Sequence, residues 1–508
     1  MTTVTETPGG DLTEGGRRAP WLLIGGGVAA AALLGGGVYA ALAMSGGGDQ
    51  PDSVLPATAA AYAQVDLDPS AGQKVTAVRF FQGLDPEVRA SIDRDWRAWV
   101  WEQLQEEGDL PPEVSYAEDV EPWLGDRAGV ALIPTGEGEE PVAAVALQVK
   151  DGQAALDFLD GLDAEGSEDL AYYLADDYVV LTQQGSLELV RSAAEAGTLD
   201  EHEPYTSDMD DLGEAGIVAM WADAARASEI DPSAFDADLG LTEEALGLPE
   251  RPDVTGRMAG TLRFSADAIE LHGITRGVSG VALPASTGAT RLVGELPADT
   301  AVALSVENGA QMVQATWDYY ADLYPDEVAE VSGQAEEAGF TLPDDLRTVL
   351  GESMTLSVGP GIVDAVTGIS PTEPSVPALP LGYRVTTDTA RLQTMLSENG
   401  LGAGFLTVRE DDGTLTVGTD QAYVDSLADG TGETLGSTAL FSAAVADSGS
   451  SDTVFFVDVA AFEQYYLPEV TDEDARAALE QLGAVGMSGT TEGEGAGRFT
   501  LRLVADQE

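Results

Sequence analysis

The sequence predicts an α+β protein: one N-terminal transmembrane helix, then two tandem homologous α+β domains with mixed or mainly antiparallel sheets. Three observations carry this. A 24-residue run near the N-terminus lacks any charge, and six sequence blocks recur in the same order some 230 residues apart. Within each copy, strand-like alternation is interrupted by stretches of helical spacing.

Residues 1–19, "MTTVTETPGGDLTEGG" and its flank, show no periodicity and read as a disordered cytoplasmic tail. Residues 20–44 read as the transmembrane helix; "WLLIGGGVAAAALLGGGVYAALAM" (Trp21–Met44) reaches about 36 Å as a helix, enough to cross a bilayer core. Arg17 and Arg18 precede it and Asp49 is the first charge after it, so the tail is placed inside and everything later outside the cell membrane. Ala41-Leu42-Ala43 has the form of a signal-peptidase site. A retained anchor is the reading adopted, because the run exceeds a signal peptide's apolar core and Glu6, Asp11 and Glu14 precede it. Small residues at Gly27, Ala31 and Gly35 would permit helix-mediated self-association. Residues 45–51, opening "SGGGDQ", form a stalk.

"LPATAAAYAQV" (Leu55–Val65) is answered by "LPADTAVALSV" (Leu296–Val306), and "WLGDRAGVAL" (Trp123–Leu132) by "VLGESMTLSV" (Val349–Val358). "VKDGQAALDFL" matches "VTTDTARLQTM", "DYVVLT" matches "GTLTVG", "VAMWADA" matches "VFFVDVA", and "MAGT" matches "MSGT". Collinearity of all six predicts an internal duplication: repeat 1 over residues 52–280, an Ala/Ser/Thr/Gly-rich linker over 281–291, and repeat 2 over 292–508. In this alignment Val218–Ala222 matches Val454–Asp458, and Ala61 and Ala63 lie inward where Val302 and Leu304 do. Each repeat runs strand, helix, hairpin, helix, hairpin, helix, strand, an order that predicts helices on one face of the sheet. "DPEVRASIDRDWRAWVWEQLQEEG" has helical periodicity, and "GQAALDFLDGL" and "GSLELVRSAAEAG" are shorter helices capped by Gly161 and Gly197. "TLRFSADAIELHGI" is a hairpin turning at Ala266-Asp267, and Asp412-Gly413 in "REDDGT" supplies type I′ turn chemistry.

The net charge is −66, from 89 acidic and 23 basic residues, and such a field excludes nucleic-acid binding. No cysteine is present, which removes disulfides, zinc-thiolate sites and cysteine nucleophiles. The two histidines do not make a hydrolase: His202 falls in the acidic loop "LDEHEPY", and His272 reads as a solvent-side strand residue with Arg502 as its counterpart. No G-x-S-x-G, H-E-x-x-H, Walker A or G-x-G-x-x-G pattern occurs in a fitting context, so no cofactor, metal or catalytic residue is assigned. "SDMDDLGE" (Ser207–Glu214) lacks calcium-loop spacing and reads as a solvated loop. Two aromatic clusters stand out, Trp96, Trp99 and Trp101 in repeat 1 and Trp317, Tyr319, Tyr320 and Tyr324 in repeat 2. They are read as helix packing, with an apolar groove for a lipid tail or partner peptide as the functional alternative.

The anchor followed by "VLPATAAAYAQVDLDPSAGQK" resembles the bacterial, actinobacterial-type family catalogued as domain of unknown function 3352, over essentially the whole ectodomain. The resemblance implies membrane-anchored, extracytoplasmic placement and carries no site residues. The expectation is a non-enzymatic binding or envelope-associated module taking a protein or apolar ligand. A carboxylate-dependent cell-envelope hydrolase is the alternative.

Overall fold

The computed structural model describes residues 49–67, 70–83, 114–136, 139–164, 170–228, 255–265, 267–280, 291–368, 378–401, 406–430, 432–471, 473–493 and 495–506, together with Trp101, Gln105, Leu283 and Ala285. The expected tail, transmembrane helix and most of the linker lie outside these residues, as do Trp96 and Trp99. Among the described residues no helix is long and apolar enough to cross a membrane.

The first half contains β1 (Ala61–Asp66), α1 (Ala71–Gly83), the hairpin β2 (Leu124–Ile133) and β3 (Val142–Val149), and α2 (Gly152–Ala164). It continues with the hairpin β4 (Leu170–Ala175) and β5 (Tyr178–Gln183), α3 (Leu187–Ala196), α4 (Glu203–Leu212), β6 (Val218–Asp223), and the hairpin β7 (Arg257–Phe264) and β8 (Ala268–Arg276). The second half repeats the strand sequence: β9 (Val302–Glu307), α5 (Gly309–Leu323), α6 (Pro325–Glu337), α7 (Asp344–Leu350), β10 (Ser353–Val358), β11 (Leu381–Thr386) and α8 (Thr389–Glu398). Then come β12 (Thr407–Asp411), β13 (Thr414–Gly418), α9 (Gln421–Asp429), α10 (Ala439–Ala444), β14 (Thr453–Asp458), α11 (Glu473–Leu479), β15 (Leu482–Gly493) and β16 (Ala496–Ala505).

Where two sheets were expected, all sixteen strands form one, and every pairing is antiparallel. From its outer edge inward the first half reads β4-β5-β3-β2-β1-β6-β7-β8, and the second reads β12-β13-β11-β10-β9-β14-β15-β16, the same order advanced by eight. The halves meet where β8 pairs with β16 over eight residue pairs, from Thr275↔Gly497 to Ala268↔Val504. Each half alone would leave that strand with unpaired amides and carbonyls, and pairing them removes two open edges.

Helices cover both faces of the sheet, not one. Successive strand residues point to opposite sides, and β5 splits accordingly: Tyr178 and Val180 join one core, Val179 and Leu181 another. On the upper face α3 and α4 bury Tyr62 and Trp221, while α9 and α10 bury Ala303 and Phe456. On the lower face α1 covers Val218 and Phe264, α2 covers Val145 and Val179, and α8 covers Val385 and Leu415. The alternation "VVLT" was compatible with burial on both sides, which is why the one-face expectation failed.

The paired LPA openings have a local role. Leu55 and Leu296 are fully buried, and their carbonyls accept from Leu199 N (3.0 Å) and Leu435 N (2.7 Å). Pro56 bridges to Thr198 and Pro297 to Thr434. Each opening thus straps the start of a half to the segment ahead of its upper-face helix. The register differs from the sequence alignment by one residue: Val65 faces Val218, but Val306 faces Thr453. Ala219 and Trp221 therefore correspond to Val454 and Phe456, and all four are buried. The inward residues of β1 and β9 are Tyr62 and Gln64 against Ala303 and Ser305, not Ala61 and Ala63 against Val302 and Leu304. The first half carries the larger inward side chains.

Candidate functional site

The middle of the upper face gathers five arginines and their carboxylate partners. Arg257 and Arg263 of β7, Arg276 of β8, and Arg498 and Arg502 of β16 lie on one side of three neighbouring strands. Period-two alternation puts them there, since each shares parity with an upper-face core residue, Ala259, Ile274 or Val504.

At the join itself Glu270 is 3% exposed and held from both sides. Arg263 Nε reaches its Oε1 at 2.6 Å, and Arg502 Nε reaches its Oε2 at 2.8 Å. Burial alone would raise this carboxyl, but the hydrogen bonds and charges of Arg502 and Arg263 outweigh it and hold the pKa below the usual carboxylate value. The same arginines donate to helix ends: Arg263 to the Leu212 carbonyl at 3.3 Å and Arg502 to the Ala443 carbonyl at 3.2 Å. Helices α4 and α10 so bring their C-terminal, negative ends to the two sides of the join, where the guanidinium groups neutralise them. This Arg–Glu–Arg bridge crosses from one half to the other.

His272 sits one step along β8. The sequence placed it toward solvent; it is buried, and its Nδ1 lies 3.0 Å from Thr500 Oγ1 on β16. Its partner across the join is Thr500, whereas Arg502 faces Glu270. Burial, and then the charge of Arg263, lower its pKa. Ile269 and Leu271 do point away from His272, but Ile274 shares its side and is buried there, so the face assumed wet is covered.

A second polar group lies at the far side of α4. "SDMDDLGE" is not a loop: Glu203–Leu212 is helical, and Asp208 is 2% exposed. Its carboxylate accepts from Trp221 Nε1 at 2.9 Å and from Arg257 Nε at 2.6 Å and Nη2 at 3.1 Å. His202 is not in an acidic loop but at the N-cap of that helix, edge-on to Trp221 and 3.2 Å from Arg226 Nη2. Burial and the charge of Arg226 depress its pKa. The corresponding second-half helix, α10, instead packs Phe441 on Phe456.

Five carboxylates are buried among the described residues, and each is held separately. Asp66 pairs with Arg127, Asp345 with Arg391, and Asp452 accepts from the Thr491 amide; Asp208 and Glu270 are held as above. No two share a partner. Also among the described residues, no three His, Asp or Glu side chains are placed to hold a metal. An open cleft of about 500 Å³ in the second half is lined by Thr348, Glu352, Thr387 and Asp388, with Asp344 and Arg347 paired at 3.1 Å on its wall. Asp388 is committed to capping α8 through the Arg391 amide.

The aromatic clusters part ways. Trp101 packs beside Tyr116 and donates to the Val114 carbonyl. In α5, Trp317 and Tyr319 are half-buried and Tyr320 is 43% exposed, so packing leaves Tyr320 unaccounted for. Asp412 and Gly413 both take positive φ, as the type I′ turn requires. Gly197 caps α3, but α2 runs through Gly161 to Ala164.

Residues 19–184 match the family described as "Protein of unknown function (DUF3352)", a stretch that includes the uncharged run and the first LPA opening and is narrower than the resemblance read from the sequence. No curated protein and no solved structure gives a significant match.

Proposed function

We propose that the chain is a single-pass, membrane-anchored extracytoplasmic protein whose described part is a non-enzymatic binding module made of two copies of one eight-stranded unit. The copies are residues 52–280 and 292–508, joined by a linker over 281–291 and tethered by residues 45–51. Identical strand order in the two halves and identical LPA straps support the duplication. The uncharged run flanked by Arg17 and Arg18 supports the anchor and its orientation.

The observation that carries the binding reading is the separate neutralisation of every described buried carboxylate. Acid–base hydrolysis needs two carboxyl groups facing one bond, and these face arginines or amides. One observation favours an enzyme: the Asp208–Trp221–Arg257–His202 cluster occurs in one half only. Three N–H donors already occupy the Asp208 carboxylate.

An impermeant amine label on intact cells tests the placement. Lys74 and Lys150 should be modified and the protein should stay with membranes through a salt wash. Release of a chain beginning near Met44 would overturn the anchor. The folded Asp208→Asn variant should complement a deletion strain, whereas loss of complementation would favour the enzyme.

A further inference from the structure

Helices α5 and α6 bury almost nothing and leave apolar side chains exposed. Across both, Gly309 is the single buried residue. Tyr320 is 43% exposed, Leu323 41% and Val331 50%, although α5 carries the spacing of a helix meant to pack. Tyr320 and Leu323 stand three residues apart and so neighbour each other on the helix surface. Tyr320 also stacks on Tyr324 and meets Tyr319 edge-on, at ring distances of 6.2 and 5.4 Å. These rings offer large contact area at small entropic cost, the composition of interface anchors.

The charge around them selects the occupant. Between Gly309 and Glu337 there are seven carboxylates and no lysine or arginine. A second copy would bring the same negative rim, and an anionic bilayer would be repelled. An apolar stripe rimmed by acid fits a helix that is apolar on one side and cationic at its margins. We propose that the exposed apolar side chains of consecutive helices α5 and α6 dock a cationic amphipathic helix of a partner protein. This rests on the binding-module reading and names the partner's chemistry.

The probe is a labelled peptide of leucine and lysine at helical spacing, added to the full-length protein in neutral phosphatidylcholine nanodiscs at physiological salt, with empty nanodiscs as baseline. A scrambled peptide of equal composition controls for charge alone. The patterned peptide should bind about tenfold or more tightly than the scrambled one, and the Tyr320→Ser/Leu323→Ser/Val331→Ser variant should lose that margin. Because the three side chains are exposed, its melting temperature should stay unchanged; Glu330→Lys/Glu337→Lys, with the apolar residues intact, should also weaken binding. Equal binding of both peptides, or full binding by the serine variant, overturns α5 and α6 as the site while leaving binding elsewhere intact. A double-mass species in sedimentation velocity, or co-flotation with phosphatidylcholine vesicles, that depends on the same three residues would assign the surface to a second copy or to a bilayer and overturn the proposal.

Discussion

A buried carboxylate in this chain is safe only while its guanidinium stays. Arg257→Ala leaves Asp208 facing the Trp221 indole alone and should cost about 2 kcal/mol, toward the low end for broken pairs because Arg257 is partly exposed. Urea unfolding would measure this, and Asp208→Asn added to Arg257→Met should recover most of the loss. His272 gives a pH signature. Its folded pKa is lowered by burial and Arg263, with Arg498 adding and Glu270 and Asp447 opposing. The unfolded chain takes up that proton below about pH 6.5, the folded chain only lower, so stability falls as pH drops through that window. Wild type should lose more unfolding free energy between pH 7 and pH 5 than His272→Gln; parallel curves would remove His272 from the account. Neither residue's setting was legible in sequence. Asp208 lies in an acidic run that looks solvated, and its burial depends on Arg257, 49 positions away. His272 is buried by a strand 228 positions away.

Elements were far more legible than residues, because their signals are local. The hairpin turns at Asp267 and Asp412-Gly413 and the helices after Asp151 and Gln184 follow from short patterns. What local pattern could not decide was the covering of the second face, since a strand apolar on both sides looks alike beside one helix layer or two. The LPA straps give an element-scale test. Leu55→Ala and Leu296→Ala each empty a fully buried site and should each cost about 2–5 kcal/mol, by similar amounts in thermal unfolding. A large cost at only one would mean the two straps are not equivalent. Helix α10 also rests directly on β15: a Cβ at Gly486 would fall 2.2 Å from the Ala444 carbonyl oxygen. Gly486→Ala should destabilise by about 1–3 kcal/mol through overpacking, while Gly489→Ala on the same strand, with its nearest neighbour at 3.8 Å, should cost less.

At the scale of the whole chain the charge dominates. A net −66 is carried by the chain, and the repulsion is long-ranged and screened by ions. The full-length protein should therefore melt at a higher temperature in molar salt than in low salt, and a flat profile would show that the carboxylates are spaced too widely to matter. The recurrence of strand order could be anticipated from six short matches, because duplication preserves local signals. The fusion into one sheet could not: the halves meet in a backbone ladder, to which any pair of strands is chemically eligible, and in side-chain pairs such as Arg502–Glu270 that lie 232 positions apart.

That ladder also fixes an order of events during synthesis. Strand β8 ends at Arg276, but its partner β16 begins only at Ala496. At about 5–20 residues per second, a ribosome needs roughly ten to forty-five seconds to make the intervening chain. For that interval the first half presents a nine-residue strand paired with β7 on one side and open on the other. Strand β16 is the last of the sixteen described strands to emerge, so a chain cut before Phe499 would keep that edge open for its whole lifetime.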